Sequence, residues 1–255
     1  MLLDAWRLAL GTLTAFPTKP PVSVDRRRAG AAMVLAPLAA LPLGIAVAGV
    51  ALLGHELEWP SLVTAVVALG ALVLGNRAFH LDGLSDTVDG LAASYDRERS
   101  LQVMKSGTSG PAGVVAVVLV LALQATCLAT LLAGTPSWRA AVLAGALVCL
   151  SRAALVVCCA RGVAAARDDG LGLVYTQTIP VLGAALVWVA AAAVVAALGH
   201  GIGLDWWRGA VAVALALVAV LILVARTVRR FGGVTGDVFG ASIEVALAAL
   251  LLGLV

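Results

Sequence analysis

Long apolar runs separated by short polar links make up almost the whole chain. Runs approaching the roughly 20 residues needed to cross a bilayer extend over about 29–54, 60–79, 110–133, 138–160, 178–199, 207–224 and 241–255. The last is short for a crossing, and Pro37 and Pro42 should kink the first. Six or seven transmembrane helices are therefore expected, in an all-α polytopic membrane protein of one domain, residues 1–255. Ahead of them, Leu2, Trp6, Leu10, Leu13 and Phe16 recur at helical spacing until Pro17, Pro20 and Pro21. That pattern fits an interfacial helix on the inner leaflet or a first helix packed on the bundle. Asp4 and Trp6 break the order of charge and apolar residues that a signal peptide needs.

Composition agrees with the pattern: 62% of residues are hydrophobic and 12% charged, with a mean hydropathy of +1.06, outside the range of soluble domains. Charge adds an orientation. If the first span runs outward, Arg7, Lys19, Arg26 to Arg28, Arg77, Arg97, Arg99, Lys105, Arg152, Arg161, Arg167, Arg226, Arg229 and Arg230 gather on one side, leaving Arg139 and Arg208 on the other. The positive-inside rule then puts the amino terminus and the motif loops in the cytoplasm. Cys127, Cys149, Cys158 and Cys159 fall inside spans without metal-ligand spacing and read as small apolar residues. No nucleic-acid partner is expected, and a homo-oligomer is left open.

Chemistry is concentrated in four links on that side. His80-Leu-Asp-Gly-Leu-Ser-Asp-Thr-Val-Asp-Gly90 sets Asp82, Asp86 and Asp89 at spacings of four and three, one face of a helix, directly after an apolar run. Like charges so stacked repel unless a cation sits among them, and magnesium bridging a phosphate would supply it; the other reading is a solvated helix end. Met104-Lys-Ser-Gly-Thr-Ser-Gly-Pro-Ala-Gly113 precedes a helix, so its amides, Gly110 among them, can hold an anion or simply turn the chain. Arg226, Arg229 and Arg230 lead into Gly232-Gly-Val-Thr-Gly-Asp-Val-Phe-Gly-Ala241, where Gly233, Thr235, Gly236 and Asp237 form a second glycine loop, with Glu244 beyond it. Cations beside such a loop suit a phosphorylated substrate, although inner-end arginines also serve as topology anchors. The last link carries Arg152, Arg161, Arg167, Asp168 and Asp169. His80 is a candidate general base or an interfacial hydrogen-bonding residue.

These motifs resemble one family. His80 to Gly90 is similar to the signature of the adenosylcobinamide-GDP ribazoletransferases, or cobalamin synthases, and Gly232 to Ala241 with Glu244 to their second signature. Thr14-Ala-Phe-Pro17, Met104-Lys105 through Gly110 and Gly113, and Ser151-Arg152 extend the likeness along nearly the whole chain. In the middle motif the family often has an Asp directly after the Lys or two residues later; Ser106 and Thr108 stand here, which removes an acidic role from this loop and leaves Lys105 and backbone or hydroxyl contacts.

The resemblance implies a phosphotransferase that closes the nucleotide loop of cobalamin. The ribose 3′-hydroxyl of α-ribazole, or of its 5′-phosphate, attacks the cobinamide-bearing phosphorus of adenosylcobinamide-GDP, and GMP leaves. Asp82, Asp86 and Asp89 would hold Mg2+, Asp237 would complete the shell or orient the hydroxyl, and Lys105, Arg152, Arg226, Arg229 and Arg230 with Gly110, Gly233, Thr235 and Gly236 would bind substrate. Two rivals are weaker. A CDP-alcohol phosphatidyltransferase needs an Ala-Arg pair after its first Asp-Gly, where Leu84-Ser85-Asp86 stands. A transporter would carry ionisable groups near the bilayer midplane, where Gln124 is an exception among apolar residues.

Overall fold

The computed structural model describes residues 1–134 and 138–255, which form thirteen helices and two isolated bridges. Helix α1 (Leu2–Leu13) packs on α2 (Arg26–Ala39) through Ala5, Ala9 and Leu13, while Leu2 and Leu3 stay exposed. It is thus a helix docked on the bundle that also keeps an apolar outward edge. Helices α2 and α3 (Leu41–Glu56) make a single apolar passage of 31 residues. It is interrupted at Ala40 because Pro42, in the first turn of α3, has no N–H to continue the ladder.

The expected run 60–79 is shorter than its hydropathy suggested. Helix α4 (Ser61–Gly75) ends at Asn76, and α5 (Phe79–Ala93) departs at 89°. Arg77 and Ala78 both take φ of +59°, a left-handed pair that turns the chain sharply. The Arg77 guanidinium lies 4.6 Å over the Phe79 ring and reaches the Gly11 carbonyl of α1, which fixes the corner. Helix α5 therefore lies across helix ends instead of prolonging α4.

Helix α6 (Arg97–Lys105) follows, capped by Asp96, which accepts from the Arg99 N–H at 2.7 Å. Helix α7 (Pro111–Gly134) crosses, and α8 (Trp138–Ser151) returns with a short continuation, α9 (Ala154–Cys158). A loop carrying α10 (Leu171–Tyr175) leads to α11 (Val181–Gly201), α12 (Trp206–Phe231) and α13 (Gly236–Leu252). Helices α3 and α8 touch at Gly44 and Gly145, where a Cβ on Gly44 would lie 2.6 Å from the Gly145 carbonyl oxygen, the small-residue contact that lets membrane helices approach closely.

Five helical segments among the described residues are long and apolar enough to cross, or six if the bent pair α4–α5 is one span. The higher figure meets the lower end of the six or seven expected; α13, with 17 residues, is not among the crossing segments. Instead of facing lipid, α13 is wrapped by α5, α7, α8, α9 and α12, and nearly all of it from Val238 to Leu251 is buried. Its enclosure turns its amino-terminal end into the floor of the motif region.

Candidate active site

The corner at Arg77–Ala78 sends α5 across the first turn of α13. A Cβ on Gly83 would lie 2.5 Å from the Asp237 carbonyl oxygen, and one on Gly240 would lie 3.0 Å from the His80 Cα, so the two helices cross backbone to backbone. This brings Asp82 and Asp86 beside Asp237. Along α5 the acids grade from exposed Asp82 through half-buried Asp86 to Asp89, which is 6% exposed. Partial burial, then the negative charges of Asp82, Asp237 and Asp89, push the Asp86 carboxyl up to about 6, with Arg167 opposing them.

Asp89 has a different occupation. Its two oxygens accept the N–H groups of Gly110 at 2.6 Å and Gly113 at 2.8 Å, capping the start of α7. A side chain on Gly113 would collide with Asp89 and the Ser85 hydroxyl. The middle glycine motif does bind an anion, and that anion is the protein's own Asp89. The three acids of α5 are accordingly not a common ligand set: among the described residues no group of three or more His, Cys, Asp or Glu side chains is drawn together closely enough to hold a metal. Asp82, Asp86 and Asp237 instead share one field around a cleft.

The cationic side of the cleft comes from the loop after α9. Backbone N–H···O bonds of 2.9 Å join Ala166 to Val234 and Val234 to Ala164, and Gly233 is needed because a Cβ there would overlap Ala165. This docking places the Arg167 Nη1 4.0 Å from the Asp237 Oδ2, while its Nη2 donates to the Leu101 carbonyl at 3.0 Å. Lys105 donates to Asp169 at 2.8 Å and holds that carboxyl below its usual range. Together Lys105, Arg167, Gly170, Thr235, Gly236 and Asp237 line a basin of about 320 Å³. Thr235 caps α13 and donates to the Asp237 Oδ2 at 3.0 Å, orienting that acid.

Several expected site residues lie elsewhere. Arg152 is fully buried: its Nη1 donates to the Val148 carbonyl at 2.5 Å and the Ser151 hydroxyl at 3.0 Å, and its charge faces Glu244 in the interior. A substrate cannot reach it, so the binding role expected of it is corrected to a structural one. Arg230 donates to the Leu91 and Ser94 carbonyls and stacks 4.3 Å over Tyr95, closing the end of α5. Arg226 and Arg229 are exposed on α12, Arg229 donating to its own helix at Ala225. His80 is buried, with Nδ1 3.3 Å from the Asn76 amide and 3.7 Å from the Glu244 carboxylate, which also accepts from Gln124 at 2.9 Å. One wall of His80 faces a second hollow beside Asp82 and Asp237. Arg167 was absent from the expected binding set, and only its place in a charged turn hinted at it, since the pairing of 164–166 with 234 spans some seventy residues.

Comparison with known proteins agrees with the motif resemblance. No solved structure matches the chain. Curated relatives named adenosylcobinamide-GDP ribazoletransferase include one from Nocardioides sp., 56% identical over 98% of this chain and 97% of the relative. One from Frankia casuarinae is 38% identical over 99% and 94%, and one from Pseudomonas paraeruginosa is 34% identical over 99% and 98%. A family model described as cobalamin-5-phosphate synthase matches residues 5–255, and with that coverage the chain belongs to the cobalamin-5-phosphate synthase family.

Proposed function

We propose that the protein is an adenosylcobinamide-GDP ribazoletransferase working at the cytoplasmic face of a bacterial inner membrane. The observation that carries this reading is the cleft where Asp82, Asp86 and Asp237 meet the cationic basin of Lys105 and Arg167. Displacement at a diphosphate needs negative oxygens neutralised and a hydroxyl aimed at phosphorus. Arg167 and Lys105 supply charge for the donor's diphosphate, Lys105 by exchanging its exposed partner Asp169 for phosphate. Asp237, oriented by the Thr235 hydroxyl, takes the hydrogen bond of the attacking ribose hydroxyl. The oxygen–phosphorus bond forms as the bond from that phosphorus to the bridging oxygen breaks. The hydroxyl proton passes to the carboxylate and then to water, and GMP leaves with the bridging oxygen.

If Mg2+ takes part, Asp82, Asp86 and Asp237 would hold it only after drawing closer than they stand here, since among the described residues no three such side chains are close enough. Asp89 is committed to backbone amides, whereas Asp82, Asp86 and Asp237 are oxygen donors whose mutual repulsion Arg167 offsets only in part, a condition that a hard divalent ion would relieve. When bound, such an ion supplies Lewis-acid neutralisation of the phosphates. The clustering of Lys and Arg on the motif side supports the cytoplasmic orientation.

The test is incubation of the purified protein in lipid with adenosylcobinamide-GDP, α-ribazole or its 5′-phosphate, and magnesium. GMP and a completed corrinoid are expected. Transfer from a CDP-alcohol with no GMP release would overturn the reading.

A further inference from the structure

Two hollows meet at Gly236 and Asp237, the first turn of α13. One is the basin of Lys105 and Arg167. The other, of about 260 Å³, shares that turn and is hydrocarbon over most of its wall: Leu13, Met33, Leu155, Phe239 and Ile243, with the Tyr175 ring set edge-on to Phe239 at 6.3 Å and 84°. Its polar groups are few and mostly spoken for. The Thr12 hydroxyl donates to the Leu8 carbonyl at 2.8 Å, and the His80 Nδ1 faces Asn76 and Glu244. The Asp82 carboxylate and the Asp237 carboxylate, the latter already held by Thr235 and Arg167, stand at its polar edge.

We infer that this hollow seats the heterocyclic base of the acceptor, taking a flat, largely hydrocarbon azole ring between Tyr175, Phe239 and Leu13 and leaving its ribose at the shared edge over Asp237. The inference rests on the proposed ribazole transfer and adds which substrate sits on which side. A guanine or the amide fringe of a corrinoid would leave donors and acceptors unpaired against these walls, which buried polar groups resist. The hollow is also smaller than the ~300–1,000 Å³ typical of drug-sized ligands, enough for one fused ring system and too small for a macrocycle. The donor's phosphates belong in the other basin, so the attacking hydroxyl and the phosphorus meet at the acid that both hollows share. Helix α1 acquires a purpose: Thr12 and Leu13 roof the base.

The test compares Thr12→Phe, which fills the hollow from its half-buried roof, with Phe239→Leu, which enlarges it, both in the full chain in lipid. Acceptors are a benzimidazole riboside phosphate and a purine riboside phosphate, with GMP release as the readout. Thr12→Phe should raise the KM for the benzimidazole acceptor by about tenfold or more, ~1.4 kcal/mol, with the KM for adenosylcobinamide-GDP held within about threefold. Phe239→Leu should narrow the preference for benzimidazole over purine, and it decides the matter if Thr12→Phe does not fold. An unchanged acceptor KM in the filled variant, or a rise confined to the donor, would overturn the inference while GMP release by the parent leaves the transferase reading standing. A parent that releases no GMP with any acceptor would sink the function itself.

Discussion

Asp86 and Asp89 are three residues apart on one helix face, yet their surroundings give them opposite uses. Asp89 holds two backbone N–H groups at the start of α7; Asp89→Asn turns an acceptor pair into one acceptor and one donor, and should destabilise the protein by ~1–2 kcal/mol. Asp86→Asn removes one charge from a crowded field and should leave the metal-free protein as stable or more so. Thermal melting of both variants in the same detergent with a chelator checks this, and equal losses would contradict the division. The pH dependence follows the same field. The Asp86 carboxyl is raised in the fold from 3.8 to about 6, so between those values the folded chain keeps a proton that the unfolded chain has lost. Its contribution is fully present below pH ~4 and is lost as pH rises through ~6. The metal-free parent should therefore lose melting temperature over that window relative to Asp86→Asn, and parallel curves would refute it. Sequence spacing revealed that these acids share a face. Their split was hidden because it depends on which of them meets the glycine amides of a segment more than twenty residues later.

At the scale of elements, what was legible followed local covalent rules. The break at Ala40 comes from Pro42, and the end of α1 precedes a proline-rich link. The right-angle corner before α5 was not legible, because the apolar run resumes at Ala78 and Phe79 after the short polar break of Asn76 and Arg77, and neither Arg77 nor Ala78 is a glycine. Helix α12 outlasts its apolar run: that run ends near residue 224 but the helix continues to Phe231, its arginines reaching water and the end of α5. Helix crossing is what makes the site, and one atom tests it. Gly83→Ala puts a methyl 2.5 Å from the Asp237 carbonyl oxygen, so α5 and α13 must separate, at a cost of ~1–3 kcal/mol. GMP release should fall at least tenfold while the helical circular dichroism is retained. Parental activity in that variant would mean that the crossing does not position the acids.

Across the whole molecule, four distant links converge at one end of the bundle, while His55, Glu56, Glu58 and Trp59 lie with the α7–α8 end of the bundle at the other. The four cysteines are all buried, which leaves the surface free for single labels. Asp168→Cys and Glu58→Cys should react with an impermeant thiol reagent from opposite sides of sealed vesicles, Asp168→Cys from the cytoplasmic side. Labelling of both from one side would break the topology. Convergence also explains why Arg152 was misplaced by sequence: it lies at the motif-side end of a span, where arginines normally reach water, but here α13 covers it and Glu244 answers its charge. The most direct measurement of the central claim is the rate of GMP release from adenosylcobinamide-GDP with α-ribazole 5′-phosphate and magnesium, for the parent, Asp86→Asn and Asp205→Asn in lipid. Asp205 is exposed at the opposite end and should stay within about threefold. Asp86→Asn should insert and melt normally yet lose at least ~10²-fold, about 2.7 kcal/mol of transition-state stabilisation. A folded Asp86→Asn protein that releases GMP at the parental rate would show that the acidic cleft is not where the transfer occurs.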